Sequence, residues 1–423
     1  MPQPATSDVA DPGLAEAGRA RIAWADRSMP VLAQVRKRFT ADQPFAGLRL
    51  AACLHVTAET ACFVRTLAAG GAQVALCASN PLSTQDDVAA ALAREDSVAV
   101  YARAGLDRPG YYRHIDQALD LRPHLVFDDG CDLVNTVHTA RRELLPDIAG
   151  GCEQTTTGVL RLHQMARAGA LAFPMLAVDD SATKRLFDNR HGTGQSALDG
   201  LIRATNTLLA GATVVVAGYG ACGVGIADRA RGLGAHVVVT ETDPVRALDA
   251  VLAGHRVLPM DEAAAIGEVC LTATGNRDVL RGEHFPRMRD GAILANAGHF
   301  DVEIDLKTLG GQATTVRRGV RPHCDEYLMP DGRRLVLVAA GRVLNLGAGE
   351  GHPAAVMDMA FADQTLAAAW LVDNHQRLEA GVYQVPAEID AEAARLKLAC
   401  LGVRVDQLTA EQREYLSSWQ YGS

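Results

Sequence analysis

The stretch VVVAGYGACGVGIADRARGLGAHVVVTETDP (residues 214–244) decides the fold of this 423-residue chain. A β-branched run, a glycine-rich turn, a helical segment and a second β-branched run follow one another in it. Gly218, Gly220 and Gly223 form a GxGxxG motif at the turn. The first glycine permits the tight turn, the second lets a pyrophosphate approach the backbone, and the third lets the helix pack on the strand. The stretch therefore predicts a β-α-β unit that binds a dinucleotide at the N-terminus of its helix.

The second β-branched run of this unit ends at Glu241. An acidic residue at this place can accept hydrogen bonds from the hydroxyls of an adenosine ribose. Its negative charge would repel a 2′-phosphate on that ribose. The sequence therefore predicts NAD, rather than NADP, as the cofactor.

Similar short apolar runs recur along the whole chain, and segments with helical periodicity separate them. The runs are 48–55, 72–80, 97–104, 123–130 and 171–180 in the first half, and 213–220, 236–243, 268–275, 291–298 and 333–341 in the second. This alternation predicts an α/β fold with two doubly wound, Rossmann-like sheets whose strands are mainly parallel. Continuous apolar character suits strands that are buried on both faces.

The strand-helix pattern is interrupted at residues 181–196 and again at residues 347–359. We therefore expect the chain to leave one domain at the first interruption and to return to it at the second. The predicted units are a substrate-binding domain over 1–185 that is rejoined by 350–385, an NAD-binding Rossmann domain over 195–345, and a helical C-terminal tail over 386–423.

Charge and composition exclude several classes of partner. The chain carries 41 Lys and Arg against 50 Asp and Glu, a formal net charge of −9. An acidic chain without basic clusters is a poor ligand for nucleic acid or anionic membranes. No run approaches the ~20 apolar residues that cross a bilayer, and the polar N-terminal stretch does not resemble a signal peptide. Nine scattered cysteines without a Cys-x-x-Cys pair indicate reduced thiols and no metal site. We expect a cytoplasmic protein.

Lysine is unusually rare among the cations of this chain. Only Lys37, Lys184, Lys307 and Lys397 are present, and every other cationic side chain is arginine. A GC-rich genome would explain the bias without any functional cause. Arginine replaces lysine where only surface charge matters, but not where an ammonium must exchange a proton or fit a small space. Each remaining lysine is therefore a candidate for a specific role.

Polar side chains recur where the predicted strands end, which is where open α/β sheets bind ligands. They are His55, Thr57, Glu59, Asp128, Asp129, Asp179, Asp180, His299, Asp301 and His352. Taken singly, each has a structural interpretation, because aspartates at strand ends often cap the next helix and a single histidine is often a hydrogen-bonded structural group. Their recurrence at one kind of position favours a shared site.

Eight motifs occur in the order that is typical of the adenosylhomocysteinase (S-adenosylhomocysteine hydrolase) family. They are LHVTAET, NPLSTQDD, DDGCDL, EQTTTG, DSATKRLFDN, GYGACGVG, NAGHFDVEID and NLGAGEGHP. The resemblance runs from about residue 10 to the C-terminus. GTGQS and the ending YLSSWQYGS are similar to the shorter prokaryotic and archaeal branch, which lacks the Lys- and Tyr-containing extension of the eukaryotic enzymes.

The resemblance implies a reaction in which tightly bound NAD oxidises the 3′-hydroxyl of an adenine nucleoside and is restored within each turnover. The ketone makes the 4′ proton acidic, a base removes it, and the 5′ substituent leaves. Water then adds and the ketone is reduced again. The family forms homotetramers, so the resemblance also implies a homo-oligomer, a tetramer or a dimer.

The family's site residues carry over to matching positions of this chain. The resemblance implies catalytic roles for His55, Asp129, Lys184, Asp188 and His299. It implies substrate contacts for Thr57, Glu59, Gln154, Asp179, Asp301, His352 and Met357. It implies cofactor contacts for Thr155, Thr156, Thr157, Asn189, Thr274 and Asn345, beside the glycines and Glu241 named above. No metal ligand is implied.

Two departures from the family pattern lie at positions that it assigns to the sugar. Gln154 stands where the second of two consecutive glutamates is usual, and Asp179 stands where an asparagine is usual. A glutamine offers a neutral amide in place of a charged acceptor.

Three functions are compatible with these departures. The departures favour a diverged nucleoside dehydratase or lyase that acts on an adenine nucleoside with a modified sugar, as in nucleoside-antibiotic pathways. The alternative is an ordinary S-adenosylhomocysteine hydrolase that tolerates both exchanges. The second alternative is a regulatory homologue that binds NAD without turnover, although the catalytic side chains named above argue against it.

Overall fold

The computed structural model of the chain describes residues 7–95 and 97–420. Its strands form two eight-stranded sheets: the second uses strands from residues 213–338, and the first uses the strands before them together with one strand after them. The α/β class with two Rossmann-like sheets is therefore confirmed. None of the helices among the described residues has the length and apolar character needed to cross a bilayer.

The first sheet is parallel throughout. Its strands are β1 (Asp8–Val9), β2 (Arg49–Leu54), β3 (Gln73–Ala78), β4 (Val98–Ala102), β5 (Leu125–Asp128), β6 (Gly150–Glu153), β7 (Pro174–Ala177) and β16 (Gly381–Gln384). They lie in the order β1-β4-β3-β2-β5-β6-β7-β16. The direction of winding therefore reverses between β2 and β5, which opens a crevice at the carboxyl ends of these two strands.

The second sheet begins at the glycine motif. Its strands are β8 (Thr213–Ala217), β9 (His236–Thr240), β10 (Arg256–Val257), β11 (Val269–Thr272), β12 (Ala292–Asn296), β13 (Thr315–Arg321), β14 (Cys324–Leu328) and β15 (Arg334–Val338). Their order is β10-β9-β8-β11-β12-β15-β14-β13. Six strands run parallel, whereas β13 and β14 form an antiparallel hairpin on β15. The winding reverses between β8 and β11, beside the glycine motif.

Helices cover both faces of each sheet. They are α1 (Ala15–Asp26), α2 (Pro30–Asp42), α3 (Ala58–Ala69), α4 (Asp86–Leu92), α5 (Arg108–Leu119), α6 (Asp132–Thr139), α7 (Thr156–Arg167), α8 (Thr193–Thr205), α9 (Ala221–Gly232), α10 (Pro244–Leu252), α11 (Met260–Ile266), α12 (Leu306–Gln312), α13 (Leu344–Gly347), α14 (Ala354–Asn374), α15 (Ala387–Cys400) and α16 (Ala410–Ser417). Because both sheet faces are covered, successive residues of β2 enter different cores: Leu50 packs in one and Ala51 in the other.

The chain passes between the sheets twice. The first passage is a π-helix, Lys184–Gly192, which continues directly into α8. The second follows α13 and leads into α14, which returns to the first sheet. There Phe361 of α14 stacks on Phe63 of α3, with ring centroids 4.8 Å apart. The two passages therefore lie next to the cleft between the sheets, and both carry candidate site residues.

Candidate active site

One cluster of titratable side chains lies at the winding reversal of the first sheet. His55 follows β2, and Asp129 follows β5. Their side chains meet, with His55 Nε2 3.2 Å from Asp129 Oδ2. His299, from the loop after β12 of the second sheet, brings Nδ1 to 3.6 Å from Asp129 Oδ1. The site therefore draws one carboxylate and two imidazoles from both sheets.

The imidazole of His55 is held on both ring nitrogens. Its Nδ1 lies 2.7 Å from Ser83 Oγ and 3.2 Å from Ser79 Oγ, at the end of the neighbouring strand β3. Burial lowers the pKa of His55 to about 4; Asp129 opposes this shift, and the neighbouring His299 adds to it. His55 is therefore neutral at pH 7 and can both donate and accept a proton.

The turn that carries Asp129 is fixed by buried carboxyl groups. Asp128 accepts hydrogen bonds from the backbone N–H groups of Asp129 and Val134. Glu153, at the end of the adjacent strand β6, accepts from the N–H groups of Gly130 and Thr155. Burial, together with the charges of Asp128 and Asp129, raises the pKa of Glu153 well above its ordinary value. The buried carboxyl group of Glu153 therefore connects the turn that carries Asp129 to the turn at Thr155.

Lys184 lies on the π-helix, across the cavity from this cluster. Its Nζ is 2.9 Å from Asp188 Oδ2 and 3.0 Å from Asp179 Oδ1, and it donates to Asn189 Oδ1 at 2.7 Å. Burial alone would lower the pKa of Lys184, but the carboxylates of Asp188 and Asp179 raise it above its ordinary value. The wide π-helix turn presents Lys184, Asp188 and Asn189 together, and π-helical turns are frequent at functional sites.

His352 joins the second passage to the first. Its Nδ1 is hydrogen-bonded to Asp188 Oδ1, and its Nε2 lies 3.3 Å from Thr193 Oγ1. Burial alone would raise the pKa of Asp188, but Lys184 and His352 lower it. Asp188 is therefore a carboxylate shared by a lysine and a histidine.

These groups face one cleft that is open to solvent; the space between its walls, with the solvent at its mouth, is about 850 Å³. Fourteen of the predicted site residues line it: His55, Thr57, Glu59, Asp129, Gln154, Thr155, Thr156, Lys184, Asp188, Asn189, His299, Asn345, His352 and Met357. Among them, Glu59 follows Thr57, which caps α3, and burial raises the pKa of Glu59. Three of the lining side chains carry a buried polar atom that has no partner among the described residues: Gln154 Oε1, His299 Nε2 and Asn345 Oδ1. Such atoms in a cleft indicate a place for a polar ligand.

Two predicted substrate contacts lie outside the lining of this cleft. Asp179 is 2% exposed and directs its carboxylate to Lys184, Asn189 and Thr156 behind the wall. Asp301 forms an ion pair with Arg342, at 2.9 Å. Both carboxylates are already paired with protein groups, so this geometry does not support a direct contact of Asp179 with the sugar or of Asp301 with another part of the substrate.

Four of the predicted dinucleotide contacts line the cleft, namely Thr155, Thr156, Asn189 and Asn345. The others lie around the start of α9, outside the lining: Gly218, Gly220, Gly223, Glu241 and Thr274. Thr157 on α7 does not line the cleft either. Gly218 has a φ of +95°, and a Cβ on Gly223 would lie 1.9 Å from the carbonyl oxygen of Gly218. Glu241 accepts hydrogen bonds from the backbone of Tyr219, Thr242 and Asp243. Thr274, at the end of β11, is held by Glu303.

Sequence reasoning did not select several groups that complete the site. Cys222 and Thr193 line the cleft, as do the apolar side chains of Val343, Leu346 and Phe361. Burial raises the pKa of Cys222 to about 11, so it is a neutral thiol. Its position inside the GxGxxG motif was the available signal. The apolar residues carry no chemical signature in the sequence.

The fold and the cleft together define the class of this protein. It has a dinucleotide-binding loop in one α/β sheet and an acid–base cluster built from both sheets. This combination is typical of two-sheet α/β enzymes that oxidise a bound substrate with a nicotinamide dinucleotide.

Comparison with known proteins identifies the family. Residues 6–147 match the family profile "S-adenosyl-L-homocysteine hydrolase", and residues 189–351 match "S-adenosyl-L-homocysteine hydrolase, NAD binding domain". The chain is 55% identical to "Adenosylhomocysteinase" of Thermosynechococcus vestitus over 99% of this chain and 98% of that protein. It is 54% identical to the protein of that name from Aquifex aeolicus over 98% and 99%. The chain belongs to the adenosylhomocysteinase family, and its cofactor is NAD.

A solved structure, dipicolinate synthase A chain from Bacillus subtilis, aligns with 78% of this chain and 98% of its own length. The TM-score is 0.46 and the identity is 14%, so this likeness does not bear on function.

The residues around the glycine motif fit the NAD that the family binds. The backbone at Gly220 is open, since the nearest heavy atom to an added Cβ is Arg246 Nη1 at 3.5 Å. α9 is a twelve-residue helix that begins at the next residue, so its free N–H groups face this opening.

Proposed function

We propose that this chain hydrolyses S-adenosyl-L-homocysteine to adenosine and L-homocysteine, with NAD restored within each turnover. One observation carries the proposal. A single cleft joins the Lys184–Asp188 pair to the cluster of His55, Asp129 and His299. Groups that can move a hydroxyl proton and groups that can remove a C–H proton therefore face the same bound molecule.

NAD, when bound, supplies hydride acceptance from C3′ of the sugar and later returns that hydride. At the same carbon, Lys184 holds the 3′-oxygen. As the hydride leaves, Lys184 passes one of its own protons to the carboxylate of Asp188 and takes up the hydroxyl proton, and the reverse transfer accompanies reduction of the ketone. The pair is buried, so its electrostatic effect on that oxygen is stronger than it would be in water.

Asp129 is the base for the C4′ proton. The 3′-ketone acidifies this proton, and after its removal the C5′–S bond breaks. His55, in contact with Asp129, donates the proton that the departing sulfur takes up and accepts one from the water that forms the C5′–O bond. C4′ then regains a proton and the ketone is reduced, so the net change is the addition of one water across the C5′–S bond.

The curated relatives support ordinary hydrolysis rather than the diverged dehydratase or lyase that the two departures favoured. Proteins named adenosylhomocysteinase match almost the whole chain at 54–55% identity. The Glu-to-Gln and Asn-to-Asp exchanges also leave the number of carboxylates unchanged, because a charge lost at Gln154 is present at Asp179. The preference for a modified-sugar substrate therefore has no remaining support.

The test is a product analysis with the NAD-loaded protein. We expect equal amounts of adenosine and free thiol from S-adenosyl-L-homocysteine. Adenine nucleosides with modified sugars, tested in parallel, should give no alkene product. Release of an alkene nucleoside without thiol would support the dehydratase instead. Neither product from a protein that retains NAD would support the regulatory homologue.

A further inference from the structure

Asp179 stands at the end of β7, in the short turn Val178–Asp180, and is buried behind the cleft. Its Oδ1 accepts from Lys184 Nζ at 3.0 Å and from Asn189 Nδ2 at 2.9 Å. Its Oδ2 accepts from Thr156 Oγ1 at 2.6 Å. Both oxygens of Asp179 are therefore engaged by side chains that do line the cleft.

Lys184 consequently has two carboxylates with different surroundings. Asp188 lines the cleft and is shared with His352, whereas Asp179 lies behind the wall. A substrate hydroxyl that binds at Asp188 competes with Lys184 and His352 for that carboxylate. The contact of Lys184 with Asp179 does not face the ligand and is free of this competition.

Gln154 completes the arrangement on the same side of the cleft. It lines the cavity two residues before Thr156, and its buried Oε1 has no partner among residues 7–95 and 97–420. Its side chain is a neutral amide, so it offers the ligand a hydrogen-bond acceptor without adding a negative charge to the cleft that Lys184 lines.

We propose that Asp179 is a positioning residue that anchors the Lys184 ammonium from behind. We further propose that its negative charge compensates for the neutral Gln154, which stands where a glutamate is usual. This inference rests on the proposed function. It predicts that the two positions are energetically coupled: an amide at one requires a carboxylate at the other.

The charge environment of Lys184 sets the direction of the pH effect. The groups that face it are Asp179, Asp188 and Asn189, Cys222 on α9, and His352 through Asp188. Asp179 is one of two anions that favour the charged lysine, and burial opposes them. Removing the charge of Asp179 lowers the pKa of Lys184, so the alkaline limb of kcat moves to lower pH.

The experiment is a double-mutant cycle on the NAD-loaded protein with Asp179→Asn, Gln154→Glu and the combined variant. The readouts are kcat, KM, the pH profile and the absorbance at 340 nm that appears when adenosine is oxidised on the protein. We expect each single variant to lose kcat, by about 100-fold for Asp179→Asn, and the combined variant to recover to within about tenfold of wild type. KM should change much less than kcat.

Two outcomes would overturn the inference. One is Asp179→Asn with wild-type kcat and an unshifted alkaline limb. The other is a combined variant that is no better than Asp179→Asn alone. If Asp179→Asn does not fold, as judged by circular dichroism and retained NAD, recovery in the combined variant still supports the coupling and its absence contradicts it. A wild-type protein without turnover of S-adenosyl-L-homocysteine would instead contradict the proposed function.

Discussion

At the scale of single residues, the proposed chemistry depends on an ammonium that is buried among acceptors. Lys184 has 5% side-chain exposure and lies within 3.0 Å of Asp179 and Asp188. The carboxylates keep it charged in a place where an unpaired cation would be costly. The ammonium is small enough for this site and can exchange a proton. The guanidinium of arginine is larger and does not give up its proton.

We therefore expect Lys184→Arg to lower kcat by about 1,000-fold or more, because it removes the group that exchanges the hydroxyl proton. Bound NAD should remain near the wild-type level, since the glycine loop is untouched. Steady-state thiol release measures the first effect, and the absorbance of the extracted cofactor measures the second. Lys307→Arg, at an exposed lysine on α12, is the matched control and should retain full activity. Turnover by Lys184→Arg within tenfold of wild type would refute this role.

His55 gives the folded protein a pH dependence of known sign. An unfolded histidine has a pKa of about 6.5, and burial lowers that of His55 to about 4. Between these values the unfolded chain binds more protons at this residue than the folded protein does. The contribution of His55 to stability therefore falls as the pH drops from about 6.5 to about 4.

Accordingly, His55→Asn should lose less free energy of unfolding between pH 7 and pH 5 than the wild type. Urea unfolding at the two pH values measures the difference. His191→Asn, at an exposed histidine of the π-helix, should behave like the wild type. A His55→Asn variant with unchanged pH dependence would show that the folded protein does not hold this imidazole neutral.

The sequence was sufficient for the identity of such residues but not for all of their contacts. Lys184 was selected because lysine is rare in this chain and its neighbours match a known motif. Asp179 was assigned to the sugar, yet its carboxylate lies behind the cleft. The position of this carboxylate depends on the turn Val178–Asp180 and on the π-helix opposite. Neither of these elements follows from local residue preferences.

At the scale of elements, close backbone packing explains the glycine motif. A Cβ on Gly223 would lie 1.9 Å from the Gly218 carbonyl oxygen, so α9 would have to move away from β8. We expect Gly223→Ala to weaken NAD binding by about 10- to 100-fold, corresponding to an overpacking cost of about 1–3 kcal/mol. Titration of the apoprotein with NAD measures this change.

Gly232→Ala is the control for this substitution. Gly232 ends the same helix, is exposed, and has no heavy atom within 4 Å of an added Cβ. NAD binding should be unchanged, and an alanine near the helix end should not destabilise the protein. Equal NAD affinity in both variants would contradict the packing explanation.

Strands with apolar runs were predictable, because burial on both sheet faces requires such runs. The predicted segments contain ten of the observed strands, from β2 to β15. β6 was missed since its sequence, GGCE, has no apolar run, and the hairpin of β13 and β14 was missed since the TVRRGVR strand is charged and largely exposed. The π-helix was seen only as an interruption, because its wide turn depends on contacts with α9 and α14.

At the scale of the whole molecule, the C-terminal segment leaves apolar side chains exposed on a single chain. They include Leu401, Val403, Val405, Leu408, Leu416 and Trp419, the last of which is 91% exposed. Apolar side chains in such a concentration are typical of a surface that another protein chain covers. The homo-oligomer remains a prediction, and these residues are its most direct support.

We expect light scattering to give a mass of two or four chains for the wild type. Replacing Leu408, Leu416 and Trp419 with serine should lower that mass, because it removes the apolar area available for association. Trp24→Ser, at an exposed tryptophan on α1, should leave the mass unchanged. A wild type that is monomeric at micromolar concentration would contradict the prediction.

The fold class, cofactor and family could be predicted from the sequence, because the glycine spacing and the strand-end motifs each lie within a short continuous segment of the chain. Which substrate a whole site accepts was harder to predict. Gln154 and Asp179, read separately, indicated an altered sugar. In the structure Gln154 lines the cleft and Asp179 lies behind it, and the proposed coupling treats their two changes of charge as one. Pairs of this kind become visible only when the contacts of Lys184 and Thr156 are known.

The most direct test of the central claim is deuterium incorporation during turnover. NAD-loaded protein is incubated with S-adenosyl-L-homocysteine in deuterated water, and the nucleoside product is analysed by mass spectrometry and NMR. The account predicts adenosine with deuterium at C4′, released together with an equal amount of homocysteine, since Asp129 removes and restores a proton at that carbon. Adenosine and thiol without deuterium at C4′, or a 4′,5′-alkene without thiol, would contradict it.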